Sequence, residues 1–263
     1  MTSFDPGFSI KPDFDTMNFI YGEDTFGPVT EKRYLDDIRS SLSDPNADGP
    51  ALVYSVAMDV GKKKHLRDLR EKNLLYGAMI YAGGRIGDEP VRSQGHIHAV
   101  SASCGCSTPE VYEIWSGEAI IYMQERAGEN AGQAFAIHAR PGDVVIVPEG
   151  WAHCTINASD GGKMTFGAWC VRDYGFDYTG IRAHGGIAFF PYYASNNELS
   201  WKRNETYSDA VLHHISAPDY SALGLVKGVP IYTQYENNPD LFRFVADPSL
   251  YPEKTGKYVP KGV

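Results

Sequence analysis

The sequence predicts an all-β protein whose central part is a β-barrel. Between residues 51 and 190, short runs rich in β-branched and aromatic residues are bounded by Gly, Pro and Asp. Many short strands with closely spaced turn signals are typical of a sandwich or a barrel. A chain of 263 residues is also long enough to bury a sizeable core. We expect strands over residues 51–56, 75–81, 110–115, 119–124, 133–138, 144–147 and 163–171.

The segments on either side of the barrel differ from it in composition. Residues 1–50 form an N-terminal arm, in which Thr30 is expected to cap a short amphipathic helix over residues 31–42. Residues 191–263 combine prolines and aromatic residues with weak helical periodicity. They predict an irregular C-terminal extension packed on the core or on a partner chain, with one helix near residues 208–214. We therefore expect one barrel domain over residues 51–190 with an arm on each side.

The composition excludes several classes of partner. The chain has 24 Lys and Arg against 33 Asp and Glu, which gives a net charge of -9. Such a chain lacks the basic surface that nucleic acid or an anionic membrane requires. No apolar run approaches the roughly 20 residues that span a bilayer, and the first residues lack the pattern of a signal peptide. Four cysteines do not make a disulfide framework, so we expect a cytoplasmic protein.

Three histidines and one glutamate are spaced like the ligands of a metal ion. His96 and His98 are two residues apart, and on a strand both imidazoles would point to the same face. Glu110 supplies an oxygen ligand, and His153 can complete the set from another strand. This set suits one divalent ion per chain, such as Fe, Mn, Ni or Zn, and leaves positions open for substrate or water. Glu113 is an alternative carboxylate, but it would lie on the opposite face from Glu110.

Taken alone, a His-x-His pair is more often exposed or structurally hydrogen-bonded, but its surroundings here are informative. Both blocks resemble the two motifs of the cupin superfamily. Residues 142–157 match the second motif in full, and residues 96–117 match the first with two departures. Pro90 stands where the pattern begins with Gly, and the gap between His98 and Glu110 is several residues longer than usual.

The longer gap contains an insertion around residues 101–107, with Cys104 and Cys106 inside it. The two cysteines are too close in the chain for an easy mutual disulfide. A second metal site would lack other ligands nearby. We therefore expect a mobile loop here.

The resemblance can be narrowed to one family. Residues 95–98, 109–112, 150–157 and 177–181 are similar to the cupin-type glucose-6-phosphate isomerases of archaea and some bacteria. Residues 75–77 and 93–95 fit the same family, so the similarity extends over roughly residues 30–185. The resemblance implies a cupin, jelly-roll-like β-barrel and a homodimer. It also implies a divalent metal ion bound by the three His and the Glu.

The activity implied by the resemblance is interconversion of glucose 6-phosphate and fructose 6-phosphate. A metal ion can polarise the carbonyl while hydrogen moves between neighbouring carbons. Glu110 can take the proton in a cis-enediol route, whereas in a hydride-shift route the metal ion carries most of the polarisation; both routes stay open. Tyr112 shares the face of Glu110. It can hydrogen-bond a sugar hydroxyl, or it can fill the barrel as an ordinary aromatic residue.

Other residues are candidates for substrate binding. Ser93 and the backbone N–H of Gly95 occupy the phosphate side in the family, and Tyr178 lies in the last matching segment. The phosphate side also departs from the family. Met79 stands where a Thr is expected, and Cys170 and Phe176 replace an aromatic residue and a His.

An acidic chain needs local positive charge to hold a phosphate. Arg85, Arg92 and Arg182 are candidates for that charge, with solvated surface residues as the alternative.

Two other functions are compatible with this sequence. The ligand set alone also suits a cupin dioxygenase that uses Fe(II). The changed phosphate side is compatible with a non-catalytic cupin that binds a sugar or another small ligand. Fold analogy does not separate these possibilities.

Overall fold

Two β-sheets share one apolar core in the computed structural model, which describes residues 3–159 and 161–261. The strands are β1 (Ile10–Asp13), β2 (Asn18–Tyr21), β3 (Thr25–Phe26), β4 (Glu31–Tyr34), β5 (Leu52–Met58), β6 (Gly61–Lys62), β7 (Leu74–Tyr81), β8 (Arg85–Ile86), β9 (Glu89–Pro90), β10 (Ile97–His98), β11 (Glu110–Ser116), β12 (Ala119–Gln124), β13 (Asn130–Ala139), β14 (Val144–Val147), β15 (Ala152–Asn157), β16 (Met164–Val171), β17 (Phe176–Asp177), β18 (Phe189–Tyr193), β19 (Leu199–Arg203) and β20 (Asp209–Ser216).

The helices are short and lie between or after the strands. The α-helices are α1 (Leu35–Ile38), α2 (Leu66–Glu71), α3 (Thr179–Ala183), α4 (Ile231–Asn237), α5 (Arg243–Ala246) and α6 (Pro252–Tyr258). Single 3₁₀ turns cover Arg39–Ser41, Lys63–His65, Ser221–Leu223, Pro239–Phe242 and Pro248–Leu250. Within the described ranges, none of the helices is long and apolar enough to cross a membrane.

The larger sheet has the strand order β14-β11-β16-β7-β5-β4, with every pair antiparallel. Its central strands β7 and β16 are buried along their whole length because both faces are covered. On the outer side, Trp169 of β16 stacks on Tyr232 of α4. The C-terminal helices therefore cover the outer face of this sheet.

The smaller sheet has the order β15-β12-β13-β20. Ile121 and Met123 of β12, with Phe135 and Ile137 of β13, belong to the same core cluster as the larger sheet. The side chains of the two sheets fill the barrel between them. The predicted all-β barrel is confirmed, and the predicted barrel strands are present with their ends shifted by a few residues.

The helix predicted over residues 31–42 is wrong in its first part. Residues 31–34 form β4, an edge strand paired with β5, and only Leu35–Ile38 is α-helical. Thr30 does not cap this helix: its hydroxyl donates to the Met17 carbonyl at 2.9 Å and to Asn18 Oδ1 at 2.7 Å. The backbone hydrogen bonds that β5 offers outweigh the helical spacing of the apolar residues.

The helix predicted near residues 208–214 is also wrong. This segment is β20, which runs parallel to β13, with Leu212 opposite Ala134 and His213 opposite Phe135. The two arms thus each add a strand to a barrel sheet, β4 to the larger and β20 to the smaller. The division at residues 50 and 190 stays a prediction.

Candidate functional site

His96 and His153 are held side by side by an antiparallel bridge. The His96 N–H donates to the His153 carbonyl at 3.0 Å, and the His153 N–H donates to the His96 carbonyl at 2.9 Å. Their ring centroids are 4.4 Å apart. The chain enters this bridge through Gly95, whose φ of +96° favours glycine. A Cβ there would also come within 3.1 Å of Ile187.

His98 and Glu110 complete the cluster predicted from the sequence. The His98 ring lies 5.4 Å from that of His96 and 4.9 Å from that of His153. One ring nitrogen of each of the three histidines lies within 4.8 Å of the others. Oε2 of Glu110, at the start of β11, is 3.2 Å from Nε2 of His98 and 3.5 Å from Nε2 of His153. All four candidate ligands therefore meet at one point.

The chemistry of these four residues fits a divalent metal ion. Among the described residues, Nε2 of His96 and Nε2 of His153 are buried without a hydrogen-bond partner. Nδ1 of His98 lies 2.8 Å from the Thr108 carbonyl, and Nδ1 of His153 lies 3.1 Å from the Trp151 carbonyl. A ring that donates from Nδ1 presents a lone pair at Nε2. Buried lone pairs beside a carboxylate are what a metal ion requires.

Burial and neighbouring charges shift the pKa values of the cluster in different directions. For His98 burial acts to lower the pKa, but the hydrogen bond and charge of Glu110 outweigh it and raise that pKa. Burial, followed by the charges of His153 and His98, holds the pKa of His96 well below its usual range. Burial also lowers the pKa of His153, although Glu110 opposes that effect. For Glu110 burial acts to raise the pKa, but the neighbouring rings of His153 and His98 outweigh it and hold that pKa well below its usual range. Glu110 is therefore ionised, and His96 is neutral, at neutral pH.

Two side chains donate hydrogen bonds to the Glu110 carboxylate. The Tyr112 hydroxyl donates to Oε2 at 2.6 Å, and the Cys170 thiol donates to Oε1 at 3.0 Å. Burial, followed by the negative charge of Glu110, raises the pKa of Tyr112 well above its usual range, so the hydroxyl keeps its proton. The sequence placed Cys170 at a changed position but did not predict its contact with Glu110.

Glu113 is not part of this cluster. It lies on the opposite face of β11, where its Oε1 accepts from the Ile231 N–H at 2.7 Å and its Oε2 from the Trp115 indole N–H at 3.2 Å. Burial raises the pKa of Glu113 to about 8. The alternative ligand is therefore directed away from the three histidines.

A cavity opens beside the four candidate ligands, and Ser93, Tyr112 and Tyr178 are among the residues that line it. Oγ of Ser93 accepts from the Thr155 N–H at 3.0 Å. The Tyr178 ring lies 5.7 Å from the His96 ring. Gly95 lies two residues after Ser93, and its conformation positions His96 for the bridge to His153.

The rest of the cavity wall has an apolar part. Met79 faces the cavity together with Val56, Met58 and Phe166. Phe176, at a second changed position, also lines the cavity and packs its ring 4.5 Å from that of His96. Two of the three departures from the family pattern thus line the cavity, and the third, Cys170, contacts Glu110.

Arg33 is a cavity residue that the sequence did not indicate. It lines the cavity from β4, and its Nη2 pairs with Glu31 Oε2 at 2.8 Å. The sequence predicts a helix over residues 31–42 and therefore does not predict this position for Arg33. In the structure, the pairing of β4 with β5 brings the Arg33 side chain to the cavity mouth.

The three arginines proposed from the sequence have other surroundings. Arg92 is fully buried, and its Nε donates to Glu89 Oε2 at 2.6 Å. Arg85 lies over the Tyr193 ring on another part of the surface. Arg182 lies over the Tyr178 ring and donates to Gln94, so it reaches the cavity only through residues that line it.

The chain resembles one family over most of its length. A model of the family described as Glucose-6-phosphate isomerase (GPI) matches residues 40–210. The glucose-6-phosphate isomerase of Pyrococcus furiosus is 32% identical over 185 residues, which cover 68% of this chain and 86% of that protein. The glucose-6-phosphate isomerase of Thermococcus litoralis is 28% identical over 184 residues, covering 68% of this chain and 85% of the relative.

Solved structures with a similar fold are more distant. Oxalate decarboxylase from Bacillus subtilis at pH 4.6 has a TM-score of 0.34 at 16% identity, covering 60% of this chain and 30% of that chain. An oxalate oxidase in complex with the substrate analogue glycolate has a TM-score of 0.35 at 12% identity, covering 47% of this chain and 55% of that chain.

Proposed function

The chain belongs to the glucose-6-phosphate isomerase family, and from that premise we propose that it interconverts glucose 6-phosphate and fructose 6-phosphate with a bound metal ion. The observation that carries the proposal is the pair of buried imidazole nitrogens without partners, on His96 and His153, beside the ionised Glu110. With His98, these residues would bind one divalent ion, such as Fe, Mn, Ni or Zn. When bound, that ion supplies Lewis-acid polarisation of a carbonyl and its neighbouring hydroxyl.

Glu110 and Tyr112 are the proposed catalytic residues. Aldose–ketose isomerisation moves one hydrogen between two neighbouring carbons. In a cis-enediol route, Glu110 takes the proton from one carbon and returns it to the other, which requires that its carboxylate be only loosely bound as a ligand. In a hydride-shift route, Glu110 serves only as a ligand. In both routes the protonated Tyr112 donates a hydrogen bond, either to Glu110 or to a substrate oxygen.

We assign Ser93, Gly95, Tyr112 and Tyr178 to binding the sugar phosphate, and we add Arg33 as the cation for the phosphate. A guanidinium presents several donors in one plane, so Arg33 can contact Glu31 and a phosphate together. Because Arg33 lies at the cavity mouth, it can supply the local positive charge that an acidic chain needs to hold a phosphate. Arg182 lies near the same Tyr178 ring and adds to that charge.

A direct assay tests the proposal. Purified protein is stripped of metal, reloaded separately with Mn, Fe, Ni or Zn, and supplied with fructose 6-phosphate while glucose 6-phosphate is measured. We expect turnover with at least one of the four ions. Absence of turnover with all four would contradict the proposal.

Two further readouts separate the alternative functions. Consumption of dioxygen without isomerisation would indicate an Fe(II) dioxygenase. A rise in melting temperature with the sugar phosphate, but without turnover, would indicate a non-catalytic binding protein.

The homodimer and the cytoplasmic location stay predictions. Edge strands such as β4 need cover, and a second copy of the chain can supply it. Light scattering that gives the mass of one chain would contradict the homodimer.

A further inference from the structure

The insertion at residues 101–107 is folded onto the barrel. The Ser101 N–H donates to the Cys106 carbonyl at 2.9 Å, and the Gly105 N–H donates to the Ser101 carbonyl at 2.8 Å. Asp173 accepts from the Ser101 hydroxyl at 2.9 Å and from the Ser103 N–H at 3.0 Å. The segment that was expected from the sequence to be a mobile loop is therefore a turn closed by backbone hydrogen bonds, and the Asp173 carboxylate holds it to the barrel.

The turn directs both of its thiols to the same side. Gly105 lies between the cysteines with a φ of +71°, and a Cβ there would meet nothing within 4 Å. The Sγ atoms of Cys104 and Cys106 are 3.1 Å apart. This separation is longer than a disulfide bond of about 2.05 Å, and both cysteines are free.

A carboxylate from the C-terminal extension reaches the same point. One oxygen of Asp247, which follows α5, lies within 4.8 Å of both sulfur atoms. Burial, followed by the hydrogen bond and charge of Cys104, raises the pKa of the Cys106 thiol to about 12, and Asp247 and Glu149 add to this effect, so an ion must displace the thiol proton to bind. All three members of this group, which we name the thiolate site (Cys104, Cys106 and Asp247), are partly exposed, so an ion in solvent can reach them. Local sequence patterns do not indicate Asp247, because it lies more than a hundred residues after Cys106.

We propose that the thiolate site binds Zn²⁺. Two thiolates and one carboxylate are ligands that Zn²⁺ favours, and they leave one tetrahedral position to solvent. Binding releases the two thiol protons to solvent and forms two Zn–S bonds and one Zn–O bond, with no change of oxidation state. With Zn–S bonds of about 2.3 Å, the two sulfurs would stand about 3.8 Å apart, so they must separate slightly. Both cysteines are partly exposed, which leaves room for that movement.

The position of the thiolate site indicates what the ion would do. The insertion connects His98 to Glu110, and the Gly150 N–H, three residues before His153, donates to the Ser107 hydroxyl at 2.9 Å. The Tyr258 hydroxyl of α6 donates to Glu149 at 2.8 Å. An ion bound by Asp247 and the two cysteines would therefore fix the C-terminal extension to the loop between two of the candidate ligands.

Cobalt provides a direct test, because a thiolate bound to Co²⁺ gives an intense charge-transfer band in the near ultraviolet. The full-length protein, kept reduced, is titrated with Co²⁺ and then with Zn²⁺. We expect the intensity of the band to stop rising when each chain holds one thiolate-bound Co²⁺. The band should disappear as Zn²⁺ replaces that ion. Cys104→Ser and Cys106→Ser should each abolish most of the band. Asp247→Asn should weaken binding at least about tenfold, since even outer-shell partners of metal ligands contribute that much.

Matched variants separate this site from the others. Cys170→Ser and Cys154→Ser should retain the band, because these buried cysteines lie in the barrel. Asp240→Asn alters an exposed carboxylate of the same extension and should bind like the parent. His153→Ala should also retain the band, so that failure of the catalytic proposal and failure of this one are distinguishable.

Three results would overturn the proposal. The first is a Cys104–Cys106 disulfide in protein purified without reductant, shown by two rather than four titratable thiols. The second is the absence of the band when all four thiols are free. The third is an unchanged Co²⁺ affinity in Asp247→Asn.

Discussion

Two glutamates on β11 show how one strand builds two different environments. Glu110 and Glu113 are both buried, but they point to opposite faces of the strand. Glu110 meets two histidines and two hydrogen-bond donors, and its pKa is held low. Glu113 meets only the Ile231 N–H and the Trp115 indole, neither of them charged, and its pKa rises to about 8. Burial is similar on the two faces, so the partners decide which carboxyl group is ionised.

The largest effect is expected on the Glu110 face. His153→Ala removes one of the four candidate ligands and leaves Glu110 with fewer partners. We expect bound metal and isomerase activity to fall together by more than about 100-fold, since even outer-shell partners of a metal ligand contribute about 10–100-fold. Metal analysis and the isomerase assay on the same preparation measure both.

The control for His153→Ala is His138→Ala, which replaces an exposed histidine of β13. It should retain metal and activity. Full activity in His153→Ala would refute the site.

The next effect belongs to the Glu113 face and appears as pH-dependent stability. The folded pKa of Glu113, about 8, lies above its ordinary value of 4.5. The folded protein therefore holds a proton that the unfolded chain releases, and stability from this group is present below pH 4.5 and lost as the pH rises through about 8. Glu113→Gln cannot titrate at this position. Between these two pH values, the free energy of unfolding of the parent should therefore fall by up to about 1.4 kcal/mol per pH unit more than that of Glu113→Gln. Urea unfolding at several pH values measures the difference.

Glu118→Gln changes an exposed carboxylate close to Glu113 in sequence and serves as the matched control. Its unfolding free energy should follow the parent at every pH. Equal pH slopes in Glu113→Gln and the parent would show that the two faces of β11 do not differ as described.

A smaller effect is expected at the cavity mouth. Arg33→Gln removes the cation proposed for the phosphate and keeps a hydrogen-bonding side chain. A hydrogen bond to a charged group contributes about 1.5–3 kcal/mol, so KM for fructose 6-phosphate should rise about 10–100-fold. We expect a smaller change in kcat, because three strands of the larger sheet separate β4, which carries Arg33, from β11, which carries Glu110. Arg67→Gln, an exposed arginine of α2, is the control. An unchanged KM in Arg33→Gln would remove this residue from substrate binding.

The smallest effect should come from Cys170, which supports Glu110 through one weak donor. Cys170→Ala should lower kcat/KM by a factor of about 2–10, equivalent to one hydrogen bond of about 0.5–1.5 kcal/mol. Cys170→Ser retains a donor and should restore part of the loss. A larger loss in Cys170→Ala than in His153→Ala would mean that the carboxylate depends on the thiol more than on the imidazoles.

The sequence predicted the parts of the molecule that local patterns encode. His96, His98, Glu110 and His153 could be proposed as ligands from the spacing of the two histidines and from the resemblance to the cupin motifs, and the structure brings the four side chains together. Arg33, Cys170 and Asp247 could not be predicted in the same way, because each reaches its partners through pairing or packing between distant segments. The helix expected over residues 31–42 illustrates why such contacts between distant segments are missed. Its apolar spacing is genuine, but β5 offers hydrogen bonds that a local pattern does not reveal.

We propose that the three histidines and Glu110 bind the metal ion on which isomerisation depends. The most direct test is to strip the protein of metal and then add one divalent ion in small steps, while bound metal and the rate of glucose 6-phosphate formation are measured in the same samples. We predict that activity is lost on stripping and returns in proportion to occupancy. It should saturate at one ion per chain in Cys104→Ser, where the second proposed site is absent. Full activity in the metal-free protein would contradict the account.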